Sequence, residues 1–529
     1  MTATSNTGGG KVTPPLGRLF MRKSVEQMHA EHAGSELKKS LGALNLILLG
    51  IGCIIGTGIF VLTGHAAAQA AGPGIMISFV ITGTLCALVA LCYAELASAI
   101  PVSGSAYSYS YASMGEMLAW IMGILLVLEY GLAASTVAVG WSGYVVSLLH
   151  DFGIDLPANL IAAHDATHPN AIMNLPAFLA ILAVTTLLVV GVSESATVNN
   201  VIVFIKVGVV IAFIIIGAPH VNTALWSPLV PPAEPAPPPG SDMSLWGQIG
   251  TALVNVISGN NTAKYGIGGL IAGAATVFFA YIGFEAVSTA GAESKNPKRD
   301  MPIGIIGSLA ICTVLYILTC AVLVGLVPYR ELNVPAPIAL AVDSLGPQLS
   351  WFAKVVKVGA ICGLSSVMLV LLYGQTRIFY TMARDGLIPS VFANVHKSFK
   401  TPWVNTIAVG LLAAFFAGFL GLDILSDVTN VGTLAAFTIV CITVLYLRYA
   451  RPNMERPFKA PLFPVVPILG AIMCVFLLMS LMSKPDTRNF FMWYTLIGFL
   501  LYFAYGIWNS KLGRGIVVTG TEHVNPTQP

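Results

Sequence analysis

Three ionisable side chains, Glu129, Lys206 and Glu285, stand in stretches of this 529-residue chain that are otherwise apolar enough for lipid. An ionisable group at the centre of a membrane helix costs about 2.5–3.5 kcal/mol on insertion scales, so each needs a partner or a task. Glu129 falls about 12 residues into its apolar run and Lys206 about 10 into its own, which at about 1.5 Å per residue puts both at mid-membrane depth. A lysine withdrawn from water can gain and lose a proton under cellular conditions. Its ammonium can also bridge backbone carbonyls as a sodium ion would, which makes Lys206 the candidate proton-coupling site. The alternative needing no substrate is a buried salt bridge or polar network among the three.

The second chemical feature is backbone. Gly50 to Gly64 reads GIGCIIGTGIFVLTG, an apolar segment interrupted by five glycines. In hydrocarbon every N–H and C=O must find a protein partner, so such an interruption survives only where it is packed in protein or lines a polar cavity. Free N–H groups at Gly56, Thr57 and Gly58, opening the following half-helix, would face a carboxylate, and nearby carbonyls would attract an ammonium. An amino acid zwitterion supplies both. The alternative is that the glycines only permit close helix packing. A second segment, GLIAGAATVFFAYIGFEAVSTAG, carries Gly283 inside an apolar run with Glu285 two residues later.

The elements that must position these groups are membrane helices. The apolar fraction is 56% and the charged fraction 9%, far from the roughly 25% charged residues of a soluble domain. Runs of about 20 apolar residues predict twelve spans, starting near Leu41, Ile75, Met117, Leu175, Ala196, Ile267, Pro302, Ser350, Trp403, Thr429, Leu462 and Phe490. With both termini inside, the inner segments hold 18 Lys and Arg and the outer ones 4, so both termini are expected in the cytoplasm. Interrupted spans one and six, five apart, suggest an inverted repeat of five helices plus five: residues 41–217 and 267–448, then two extra spans in 449–508. A basic tail (1–40) reads as regulatory or disordered, and 509–529 as a second cytoplasmic tail. The loop 218–266 contains PPAEPAPPP and an Asn260–Thr262 sequon, and reads as an extracytoplasmic tether. Lys354 and Lys357 are expected to snorkel, Arg377 to be structural or gate-forming, and Glu95 to cap helix ends.

GIGCIIGTGIF, YAELASAIPVSGSAYSY, FFAYIGFEAVSTAGAESKNPKRDMP and LYGQTRIFYTMARDGLIP, in this order, resemble the amino acid, polyamine and organocation superfamily, most nearly a bacterial member of its cationic amino acid transporter branch. The resemblance implies an all-α polytopic protein of the LeuT type, with spans 1, 2, 6 and 7 rocking against 3, 4, 8 and 9, and spans 5 and 10 as gates. It implies that the substrate carboxylate meets Gly56, Thr57 and Gly58 and that the amine meets carbonyls near Ile54, Phe279 and Ile282. Glu129 would face the side-chain pocket, and Lys206 would stand in for sodium. Many relatives carry Asp where this chain has Glu285, whose longer reach alters its part in binding. Twelve spans rather than the fourteen of animal members favour a bacterial inner-membrane protein.

The expected function is proton-coupled symport of arginine, lysine or ornithine by alternating access, since a carboxylate in low dielectric attracts a cationic side chain. Were Glu129 protonated or bonded through water, the pocket would accept neutral residues instead. Exchange of an amino acid for an amine is a further alternative, and a channel a weaker one. An enzyme would need a nucleophile with its base, or a metal cluster; the nine histidines fall in tails, loops and span ends. The expected partners are an amino acid substrate, the proton and the lipid bilayer, with room for a small single-span accessory subunit and none for nucleic acid. No cofactor or metal is called for.

Overall fold

A computed structural model describes residues 15–23, 41–102, 105–164, 168–191, 196–234, 244–260 and 264–516. The remainder of both tails, most of the proline-rich run and the Asn261–Thr262 half of the sequon lie outside these residues. Nine helical runs among the described residues are long and apolar enough to cross a bilayer, and shorter apolar helices at Ala43–Ile54, Leu175–Val190 and Trp403–Phe419 complete the twelve predicted spans. The described residues contain isolated bridges but no strand.

Spans one and six are both broken. Span one stops at Ile54, turns through an extended Ile55 and resumes at Gly58. Span six (Gly266–Gly291) is α-helical to Val277, tightens, turns at Gly283 and continues as a 3-10 helix from Glu285. Span seven (Pro297–Leu326) packs along spans two (Ile75–Ala99) and one, whereas span eight (Ser350–Arg384) packs along span three (Glu116–Asp151), and span nine (Trp403–Phe419) along span four (Leu175–Val190). The two groups of neighbours match the moving bundle and scaffold implied by the resemblance. Spans eleven (Val465–Met482) and twelve (Pro485–Asn509) are among the least buried, with 39% and 22% of their apolar windows covered against 83% for span six. Span eleven packs on span ten (Leu422–Ala450) and on spans two and six, and span twelve chiefly on span ten.

Four expectations need correction. The loop 218–266 is more than a tether, because Ser244 caps a helix at Leu245–Ile257 that packs on spans six and eleven. Its apolar side found a helical partner that a proline count does not reveal. Lys357 does not snorkel; it is 3% exposed and pairs with Asp151 at 2.6 Å, a carboxylate that chain order hides. The leading tail is partly docked: Arg18 Nη1 donates to the Ile507 carbonyl at 2.8 Å, Lys23 pairs with Asp385 at 2.7 Å, and Met117 N–H donates to the Leu19 carbonyl.

Glu95 is structural, but as the centre of an ion-paired cluster rather than as the expected cap of helix ends. Its carboxylate accepts two hydrogen bonds from Arg448 at 2.9 and 2.6 Å and one from the Ala460 N–H at 2.8 Å, with Arg456 3.4 Å away. Removing one partner of a buried pair costs about 3–5 kcal/mol. Glu95→Gln should therefore lower the thermal unfolding midpoint in detergent by several degrees, and a midpoint equal to wild type would show that the cluster contributes nothing.

Candidate functional site

The two breaks meet. A β-carbon built on Gly58 would fall 2.1 Å from Ala280 Cα, and one on Gly283 2.8 Å from the Cys53 carbonyl carbon. Gly283 has φ +122°, a conformation that only glycine adopts without strain. Glycine is thus demanded at both crossings, by close approach and by backbone conformation.

Between the breaks lies a cavity of about 10 Å³ lined by Ile54, Gly56, Thr57, Gly58, Phe279 and Ile282. These are six of the eight residues expected to bind substrate. The N–H groups at 56–58 open the second half of span one and, with the chain extended at Ile55, have no preceding helical turn to bond to. The Thr57 hydroxyl is buried without a protein partner. The Ile54 carbonyl takes the Tyr316 hydroxyl at 2.7 Å and the Phe279 carbonyl takes the Ile282 N–H at 3.2 Å, which leaves each oxygen a second lone pair. Such an arrangement offers donors to a carboxylate and acceptors to an ammonium about one residue's width apart.

The remaining wall is apolar: Ala133 and Val137 from span three, Val367 and Leu371 from span eight, and the Cys53 thiol. Sequence reasoning missed these residues, since nothing distinguishes them from other apolar residues in their spans.

Glu129 and Glu285 do not line this cavity. Glu285 Oε2 accepts the Gly283 N–H at 2.8 Å, so it caps the turn of span six. Glu129, fully buried in a π turn of span three, lies beside Glu285, and neither of its carboxyl oxygens has a hydrogen-bond partner among the described residues. Tyr93 and Tyr130 lie beside the pair.

Lys206 is fully buried on span five (Ala196–Gly217) and donates to the carbonyls of Gly52 and, at 3.2 Å, Ile55. It grips the last turn before the break in span one. Gly363 of span eight leaves room for its stem, a β-carbon there lying 3.3 Å from Lys206 Cβ.

The two faces of the molecule differ. Toward the termini a vestibule of about 350 Å³ reaches down to Cys53, which also lines the central cavity, and has Glu293 and Arg377 near its mouth. On the far side the Tyr144 hydroxyl bonds the Phe60 carbonyl at 2.7 Å, and His65 sits 2.8 Å from both Asp423 and Asn333. Lys484 pairs with Asp427 beside them; burial disfavours its ammonium, but Asp427 and Asp423 hold its pKa above the usual lysine range. The molecule thus has a vestibule on the termini side and is shut on the far side, while the cavity at the helix breaks is itself closed down to about 10 Å³.

The family model described as "Amino acid permease" matches residues 41–502. The methylthioribose transporter of Bacillus subtilis is 44% identical over 499 residues, covering 94% of this chain and 100% of that protein. The branched-chain amino acid permease BcaP of the same organism is 43% identical over 501 residues, again 94% and 100%. The vacuolar cationic amino acid transporter 4 of Arabidopsis thaliana is 37% identical over 440 residues, 83% of this chain and 68% of that protein.

Proposed function

The chain belongs to the amino acid permease family, a family of transporters rather than enzymes, and from that premise we propose that it imports a neutral, apolar-sided amino acid with a proton by alternating access. The membrane is a bacterial inner membrane with both termini cytoplasmic, as the 18-to-4 bias of basic residues favours. The substrate carboxylate bonds the N–H groups at Gly56, Thr57 and Gly58, and its ammonium the carbonyls of Ile54, Phe279 and Ile282. Lys206 carries the coupling proton: while charged it bonds span one at Gly52 and Ile55, and losing its proton toward the cytoplasm releases that half-helix.

The observation that carries the neutral reading is the cavity wall. Apart from the Thr57 hydroxyl and the Cys53 thiol its side chains are hydrocarbon, and Glu129, on which a cationic preference rested, is not part of the wall but lies beside Glu285. An unpaired cation buried against such a wall costs several kcal/mol. The named substrate of BcaP agrees with this direction. A methylthioribose-like substrate is the second reading, on the strength of one relative's name, but it has no use for a paired set of carboxylate donors and ammonium acceptors.

The test is uptake into proteoliposomes of purified protein with and without an inward proton gradient. Labelled leucine should accumulate only with the gradient, and arginine and methylthioribose should compete at least about 100-fold less well than isoleucine, a difference of about 3 kcal/mol. Leucine uptake that ignores the gradient but needs internal substrate would mean an exchanger, and strong competition by arginine would restore the cationic reading. Val137→Phe, adding bulk to a wall residue that is 1% exposed, should raise the leucine KM roughly 10-fold and the alanine KM much less. Equal effects on both would place Val137 outside the side-chain pocket.

A further inference from the structure

We propose that Glu293 and Arg377, side by side on the vestibule wall, form a second amino acid site that takes the departing substrate by its zwitterion. This rests on the transport reading above but concerns a place that the reading leaves empty.

The Arg377 guanidinium lies on the Tyr373 ring, 4.3 Å from its centroid, with one nitrogen bonded to the Tyr373 hydroxyl. Span eight therefore holds it in one orientation. Its other edge points toward Glu293 at the end of span six, Nη1 to Oε1 3.8 Å. Charge-assisted hydrogen bonds run to about 2.7–2.9 Å, so the pair is close enough to attract and too far apart to bond. Both side chains are partly open to water, at 41% and 30% exposure. An amino acid carries its two charges on neighbouring atoms, and can put its carboxylate on Arg377 and its ammonium on Glu293. One loose contact is then replaced by two close ones.

The location gives this a purpose. The vestibule shares Cys53 with the central cavity, and its wall sets Leu49, Leu369 and Val370 among polar side chains such as Asn45, Asn199 and Tyr130. A zwitterion leaving the helix breaks gives up the backbone groups that paired its two charges before it reaches bulk water, which is costly for charged groups. A complementary pair of charges on the way out lowers the exit barrier. At about 350 Å³ the vestibule is within the size range of small-molecule sites.

The experiment measures equilibrium binding of labelled leucine to purified wild type, Arg377→Gln, Glu293→Gln and the charge-exchanged Arg377→Glu/Glu293→Arg protein, alongside leucine efflux from preloaded proteoliposomes. Wild type should bind about two leucines per chain, one tightly and one weakly. Each single variant should lose the weak class, keep the tight one and slow efflux roughly 10-fold, and the exchanged pair should recover the weak class. Retention of the tight class shows that a variant is folded. One class in wild type, or both classes in the single variants, overturns the subsite. So does single-class binding with slowed efflux in the variants, which would make the pair a gate that merely tightens on closure. If wild type neither binds nor accumulates any amino acid, the transport reading fails first and takes the subsite with it.

Discussion

Replacing Lys206 with alanine should collapse gradient-driven accumulation of substrate to simple equilibration while leaving exchange of labelled for unlabelled substrate in place. The expectation follows from what the ammonium touches. It is fully buried and donates to two carbonyls, Gly52 and Ile55, on either side of the point where span one stops being a helix. Hydrogen bonds to a charged group contribute about 1.5–3 kcal/mol each, so gain and loss of one proton changes the hold on the half-helix by several kcal/mol. That is enough to bias a two-state equilibrium by more than about 100-fold. Alanine removes the proton carrier and the bridge together. Lys206→Met keeps the stem that fills the space beside Gly363, so it separates the charge from the volume: both variants should uncouple, and methionine should leave thermal stability nearer to wild type. Accumulation persisting in Lys206→Met would reduce this lysine to a structural bridge.

The second large effect is steric. Gly58→Ala should abolish uptake, to below about 1% of wild type, because the new methyl would sit 2.1 Å from Ala280 Cα, and backbone cannot yield as a side chain can. A penalty of about 3 kcal/mol on the closed form suffices for a loss of that size. Gly56→Ala, two residues away, is the contrasting case. Its methyl would lie 3.5 Å from Val367 Cγ1, an ordinary contact, so the variant should fold and carry alanine while losing affinity for leucine. Measured uptake of both amino acids by both variants decides this. Equal behaviour would mean that the glycines serve helix packing in general rather than the junction of the two breaks.

Much of this was legible in the chain because the bilayer leaves few options. Apolar runs of the right length located twelve spans, and glycine within such a run located both breaks, since unpaired backbone at membrane depth survives only when packed in protein or lining a cavity. Lys206 was legible for the same reason, as a charge that lipid would not tolerate without acceptors. What stayed hidden was everything that depends on direction around a helix. Glu129 has the right depth for a substrate pocket, yet it stands outside the cavity wall, beside Glu285. Ala133, Val137, Val367 and Leu371 gain their meaning only when spans three and eight are brought to the breaks. The Lys357–Asp151 and Lys23–Asp385 pairs join segments far apart in the chain, and no local pattern announces them.

The docked leading segment bears on the order in which the molecule is assembled. Arg18 is bonded to a carbonyl 489 positions later, at Ile507, and also reaches Trp508, while its neighbours engage the start of span three and the turn after span eight. The segment leaves the ribosome first, and its seat is complete only once span twelve has been made. Chains grow at about 5–20 residues per second, so Arg18 must wait tens of seconds for its own partner even though its neighbours can engage span three earlier. Its docking is then the closing event of biogenesis, and a chain cut short before span twelve would leave Arg18 undocked however well the earlier spans had inserted.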